Sequence, residues 1–261
     1  MRFRAAAITP TAALALALAI AIAIAIAIAG CTLLAPAMTS DASAAAAAAP
    51  SSANQSLARA LAAAKAAGSA RITVQFFSGS TSGKVVQDST LRSGKQTVAI
   101  KDELASVVLT GGTAYFSGNS KGLTSYFGVP SALVPTLTGR WVSVQSTDSA
   151  FQAVSGDVAL SSALANVTPS GTLTAGKRSK VAGQSVKSIS GAAPGGGGRL
   201  TLFVANDAQS LPVEAVETSG SGKSGKGEIV TFTRWGEHVQ ITTPSGALPL
   251  SAIEAPASAS G

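Results

Sequence analysis

Arg71-Ile-Thr-Val-Gln-Phe-Phe77 decides the fold. Ile72, Val74 and Phe76 fall on one face of an extended chain, and Arg71, Thr73 and Gln75 on the other. That alternation is the mark of a half-buried strand. Working outward, further strand-like runs lie near 84–92, 96–101, 105–110 and 113–117. Turn signals separate them at Ser93-Gly94, Lys101-Asp102 and Gly111-Gly112. Runs this close together pair as antiparallel hairpins, because parallel neighbours need a long crossover. Upstream, 55–68 has helical spacing at Leu57, Leu61 and Ala64, with Ser56 as a cap and Gly68 as a stop.

Beyond the meander the chain changes character. Pro130 and Pro135 among apolar residues predict short helical turns over 118–140, followed by a strand at 141–144. A helix is expected from Ser149 to about Asn166, capped by Asp148 or Thr147, with Phe151, Val154 and Val158 at i, i+3, i+7. Gly156 is its weak point. Strand patterns return at 171–177, 183–190, 199–205, 212–218, 227–234 and 239–243. The expected fold class is α+β: one large curled antiparallel sheet of about 11 strands, a half-barrel, with a few helices on the concave side. So wide a sheet must twist and curl. Pattern alone leaves open whether the space under the helices is packed or hollow.

The first thirty residues read as an export signal. Arg2 and Arg4 precede an uncharged apolar run from Ala12 to Ala29, and small residues close it. The run approaches bilayer-spanning length, so an uncleaved anchor helix is the alternative. Ile28-Ala29-Gly30-Cys31 resembles the bacterial lipobox, in which the cysteine thiol receives a diacylglyceryl group and becomes the first mature residue. Cys31 is the sole cysteine, so it has no intramolecular disulfide partner. Two acyl chains make stable attachment where one is marginal. The expected organisation is a signal over 1–30, a lipidated Cys31 with an Ala/Ser/Thr/Pro-rich spacer over 31–54, a folded domain over 55–254 and a structureless tail over 255–261. The place is the extracytoplasmic face of the cell membrane, with the protein a monomer.

The net charge is +7, but the basic residues are scattered. A nucleic-acid footprint would be a dense stripe. Scattered positive charge suits solubility and weak contact with anionic headgroups or wall polymers.

A family resemblance emerges from the order of several phrases: lipobox, spacer, a helix from Ser56, and the hairpin Val107 to Tyr115. Gly139 to Val144, Ala163 to Val167, Val181 to Lys187, Leu202 to Asp207, Leu211 to Val213 and Phe232 to Gly236 follow. Over roughly 55–245 the chain resembles the actinobacterial LppX/LprG-type lipoproteins, whose fold is similar to the LolA/LolB carriers. That resemblance implies a half-barrel with an apolar cavity, binding and carrying an acylated lipid or glycolipid. The chain departs from the family in having few large aromatics and Ser/Gly-rich loops, and fold alone does not fix function.

Residues for chemistry are scarce. His238 is the one histidine, and with Cys31 acylated a zinc site would need carboxylates alone. No Gly-x-Ser-x-Gly elbow occurs in a strand-turn-helix setting. Gly222-Lys223-Ser224 resembles the end of a phosphate loop, but Glu217 stands where its first glycine belongs, and strands flank it on both sides. No catalytic centre, metal or cofactor is expected. The candidate residues are apolar instead. The expected cavity walls are Val74, Phe76, Leu109 and Tyr115 from early strands, and Phe127, Leu133 and Leu137 from the covering segment. Phe151, Leu160 and Leu164 come from the helix, and Leu202, Val204, Val230 and Phe232 from late strands. The competing reading is a structural or interaction lipoprotein of the envelope whose core is filled by these same residues.

Overall fold

The computed structural model describes residues 52–78, 81–196, 198–219 and 226–254. The expected signal, Cys31, most of the spacer and the 255–261 tail lie outside the described residues.

The first helix, α1 (Ser52–Ala67), is alanine-rich, and alanine is the best helix former. It begins before the expected start at 55. Ser56 therefore lies inside the helix, one turn in, where its hydroxyl donates to the Ser52 carbonyl at 2.8 Å rather than capping the helix. Ala53, Leu57, Ala60 and Ala64 form its buried stripe. Gly68, at φ +77°, stops it.

A five-strand meander follows: β1 (Ser69–Ser78), β2 (Thr81–Thr90), β3 (Gly94–Ile100), β4 (Glu103–Thr110) and β5 (Thr113–Gly118). Its β4–β5 turn shows why the sequence folds so. Gly111 and Gly112 both take positive φ, 58° and 75°, as a two-residue primed turn requires, and Thr110 pairs with Thr113 across it. Next come α2 (Ser120–Ser125), capped by the Asn119 side chain accepting from the Gly122 N–H, α3 (Val134–Leu137) and β6 (Val142–Gln145).

The expected 149–166 helix is two helices, α4 (Phe151–Ser155) and α5 (Leu160–Asn166). The break falls just after Gly156 because Val158 has another partner. Its carbonyl accepts from the Gln87 side chain and the Ser89 hydroxyl, each at 2.8 Å, and cannot also serve a helix. Asp148 is no cap either: its carboxylate accepts from the Gln145 N–H, and no side chain caps α4.

The last third supplies β7 (Ser170–Val181), β8 (Gln184–Ala192), β9 (Arg199–Ala205), β10 (Pro212–Ser219), β11 (Lys226–Thr233), β12 (Leu248–Pro249) and α6 (Leu250–Glu254). The strand expected at 239–243 is absent; that stretch has no regular structure, and the chain rejoins the sheet only at β12. Its Gly222-Lys223-Ser224 segment lies outside the described residues, between the paired strands β10 and β11.

All twelve strands form one open, curled sheet in the order β12-β6-β5-β4-β3-β2-β1-β11-β10-β9-β8-β7. Every neighbouring pair is antiparallel except β12 with β6. The architecture is an α+β half-barrel. Helices cover one face, in two apolar layers. Under α1 and α5 lie Ile72, Ile189, Leu202 and Phe232; under α2, α3 and α4 lie Val107, Phe116, Val142 and Val144.

Candidate functional site: an apolar cavity with carboxylates in its wall

Between those two layers the packing is incomplete. The concave residues of β1, β2, β3 and β11 form a floor: Ile72, Val74 and Phe76, then Val85, Val98, Ile100 and Val230. Pairing puts Val74 directly between Val85 and Val230, so three neighbouring strands present valine at one level. The roof is Tyr126, just past α2, Asp157 in the α4–α5 link, Ala163 and Asn166 of α5, and Val167 just past it. The enclosed space is about 150 Å³, mostly apolar and partly open to solvent.

Polar groups interrupt the floor at defined places. Gln87 and Gln96 are opposite one another on β2 and β3, and both are buried. They form a hydrogen-bonded row. Tyr126 donates to Gln96 at 3.4 Å, Gln96 donates to Gln87 at 3.2 Å, and Gln87 donates to Ser89 at 2.7 Å and to the Val158 carbonyl. This row ties the α4–α5 link to the sheet. It also accounts for polar side chains that would otherwise be costly to bury. Burial, with Asp157 nearby, pushes the Tyr126 hydroxyl up to about 12, so it remains a donor.

Two carboxyl groups share the wall. Asp157 is raised by burial, against a hydrogen bond from Asn166 at 3.1 Å that lowers it. Glu228 is pushed up to about 7 by burial first, then by the negative charges of Glu217 and Asp157. Glu217 is its direct partner across β10 and β11. Like charges facing each other across a ladder are unfavourable.

Of the residues expected to line a cavity, the structure places Val74, Phe76 and Val230 in this wall. Leu160, Leu164, Leu202, Val204 and Phe232 are packed under α1. Leu109, Leu137, Phe127, Leu133 and Phe151 belong to the other layer, where Phe116 and Phe127 have ring centroids 4.6 Å apart. Tyr115 pairs with Val108 and Ser143 on the convex face, opposite to the helices, because its neighbours Ala114 and Phe116 take the concave positions. Sequence reasoning missed Gln87, Gln96, Asp157 and Glu228. The available signal was a phase: Glu228 alternates with Val230 and Phe232, and Gln87 with Val85.

A second, polar depression lies near the opposite ends of β1 and β2, where His238 sits exposed. Its charges pair with each other. Arg71 makes a two-pronged bond to Asp88 at 2.6 and 2.8 Å, and Arg234 faces Glu237 at 3.9 Å. The Arg71 guanidinium holds the Asp88 carboxyl below its ordinary value. Among the described residues no three His, Cys, Asp or Glu side chains are placed to hold a metal, and no helix is long and apolar enough to cross a membrane.

With this geometry in view, likenesses can be named. Among solved structures, the chain is similar to lipoproteins of the LppX/LprG type, the type its sequence resembles. The lipoprotein LppX of Mycobacterium tuberculosis is 18% identical, with 72% of this chain and 97% of that one covered and a TM-score of 0.45. LprF of Mycobacterium bovis is 18% identical over 74% and 97%, with a TM-score of 0.46. The MucA/MucB complex of Pseudomonas aeruginosa matches at 16% identity over 77% and 68%, with a TM-score of 0.36. Likeness of this degree concerns the fold and says nothing of a ligand. No family model matches the chain, and no curated protein matches it.

Proposed function

We propose that the protein is an extracytoplasmic lipoprotein, anchored through Cys31, that binds the hydrocarbon part of an amphiphilic lipid between its sheet and helices and performs no chemistry on it. The observation that carries this reading is the partly open apolar space over Val74, Val85 and Val230. A dry cavity of comparable size lined by aliphatic side chains takes up benzene, so the space holds hydrocarbon on the order of six carbons. At about 0.8 kcal/mol per buried CH₂, that transfer is worth roughly 5 kcal/mol before the costs of association. Desolvation supplies the affinity, and no covalent step is needed.

The size of the cavity also supports a second reading. Ligand pockets usually run from about 300 Å³ upward, and most residues expected in the wall are packed instead. A whole acylated lipid or glycolipid therefore requires α5 and the α4–α5 link to move off the sheet. Without that movement the protein is a displayed envelope lipoprotein with a filled core. Native mass spectrometry of the purified full chain separates the two. Lipid-sized mass additions that survive mild extraction support the carrier. A bare mass, with no uptake of an added fluorescent acyl probe, supports the filled core.

A further inference from the structure

Among the described residues the wall of the cavity contains two carboxyl groups and no lysine, arginine or histidine; the side chain of Lys226, two positions before Glu228 on β11, lies outside them. Among the described residues the ion pairs use Asp88, Asp102 and Glu237, and neither Asp157 nor Glu228 is in one. Asp157 has one neutral donor, Asn166. Glu228 faces Glu217 across the ladder and senses Asp157 across the cavity. Negative charge therefore gathers in an apolar space without a described counter-charge. A protein core does not gain from that arrangement, since a buried charge without a partner is strongly unfavourable. Buried carboxyl groups gathered in a cleft are candidates for a binding site.

The remaining polar groups narrow what could fill the gap. Gln87, Gln96 and Tyr126 are already joined to one another and to the Val158 carbonyl. The carboxylates are left with spare acceptor capacity, and an ionised carboxylate only accepts. The complementary group is a positively charged donor attached to a short hydrocarbon.

We infer that the cavity takes amphiphiles ending in an ammonium group and turns away those ending in a carboxylate. This rests on the hydrocarbon-binding reading above and adds the chemistry of the polar end. Three probes with one tail test it: octylammonium, octanol and octanoate, titrated calorimetrically into the purified full chain at pH 8. The expected order of affinity is octylammonium, then octanol, then octanoate, with about 10-fold or more between first and last, as for a charge-assisted bond. Glu228→Gln with Asp157→Asn brings the three within about 2-fold while octanol binding persists. If that pair fails to fold, Glu228→Gln alone narrows the spread. Val74→Phe, which fills the space, weakens all three. Octanoate binding as tightly as octylammonium overturns the inference and leaves the hydrocarbon site standing. Failure of all three to bind removes the site itself.

Discussion

Glu228 lies on β11, a central strand of the sheet, where Val230 and Phe232 follow it on the same face, and its carboxyl is pushed up to about 7. The consequence for stability has a definite sign. Between the ordinary carboxyl range and about pH 7, the folded chain holds a proton that the unfolded chain has released, so stability falls as pH rises through that window. Above it the penalty is complete. Glu228→Gln removes the titration and keeps the shape. It is expected to raise stability at pH 8 by on the order of 1–3 kcal/mol and to leave it unchanged near pH 4. Urea unfolding at the two pH values checks this; equal gains at both would show that charge is not the cause. Val74, Phe76 and Val230 were legible in the sequence because they alternate in phase with solvent-facing neighbours, while Val85, Val98 and Ile100 were not singled out, and most of the other residues expected beside them are packed in the two layers. The polar wall was not legible. A glutamate or glutamine among alternating valines reads as surface, and only the partner strands and α5 reveal that Gln87 and Glu228 face inward.

Elements were read where local chemistry settles them and misread where a distant partner does. The meander from β1 to β5 followed from alternation and from Gly111-Gly112. The single helix over 149–166 did not survive, since its break is fixed by Gln87 and Ser89, about seventy residues earlier in the chain. The strand expected at 239–243 alternates correctly yet has nowhere to pair: β11, just before it, already lies between β1 and β10. Gly94 shows how tightly the α4–α5 link is held. A methyl group there would overlap the Val158 carbonyl oxygen. Gly94→Ala should therefore cost about 1–3 kcal/mol in urea unfolding, where an exposed strand glycine would lose little. Leu202 tests the packed layer. It is fully buried under α1, so Leu202→Ala should cost about 2–5 kcal/mol, rising with the hollow left behind. A smaller cost would mean that this layer is looser than its contacts indicate.

At the scale of the molecule, the breadth of the sheet and the small amount of helix available to cover it account for the cavity. Among the described residues, twelve strands present more concave surface than six helices can fill, and the shortfall falls between α5 and the meander. The breadth of the sheet and the scarcity of helix followed from counting strand and helix patterns; the existence and place of a cavity did not. Nor did its volume, because alternation is the same over a packed core and a hollow one. The anchor is a separate matter. Cys31→Ala in the full chain should move the protein from the membrane fraction to the soluble one, as expected when two acyl chains provide the attachment; unchanged sedimentation with membranes would rule out lipidation as the tether. The central claim concerns the space itself. Calorimetric titration of octanol into the full chain and into Val74→Phe tests it most directly. Saturable binding with a negative heat-capacity change, weakened at least about 10-fold in the filled variant, is the expected result. No binding to the unaltered chain, or equal binding to both, would contradict the account.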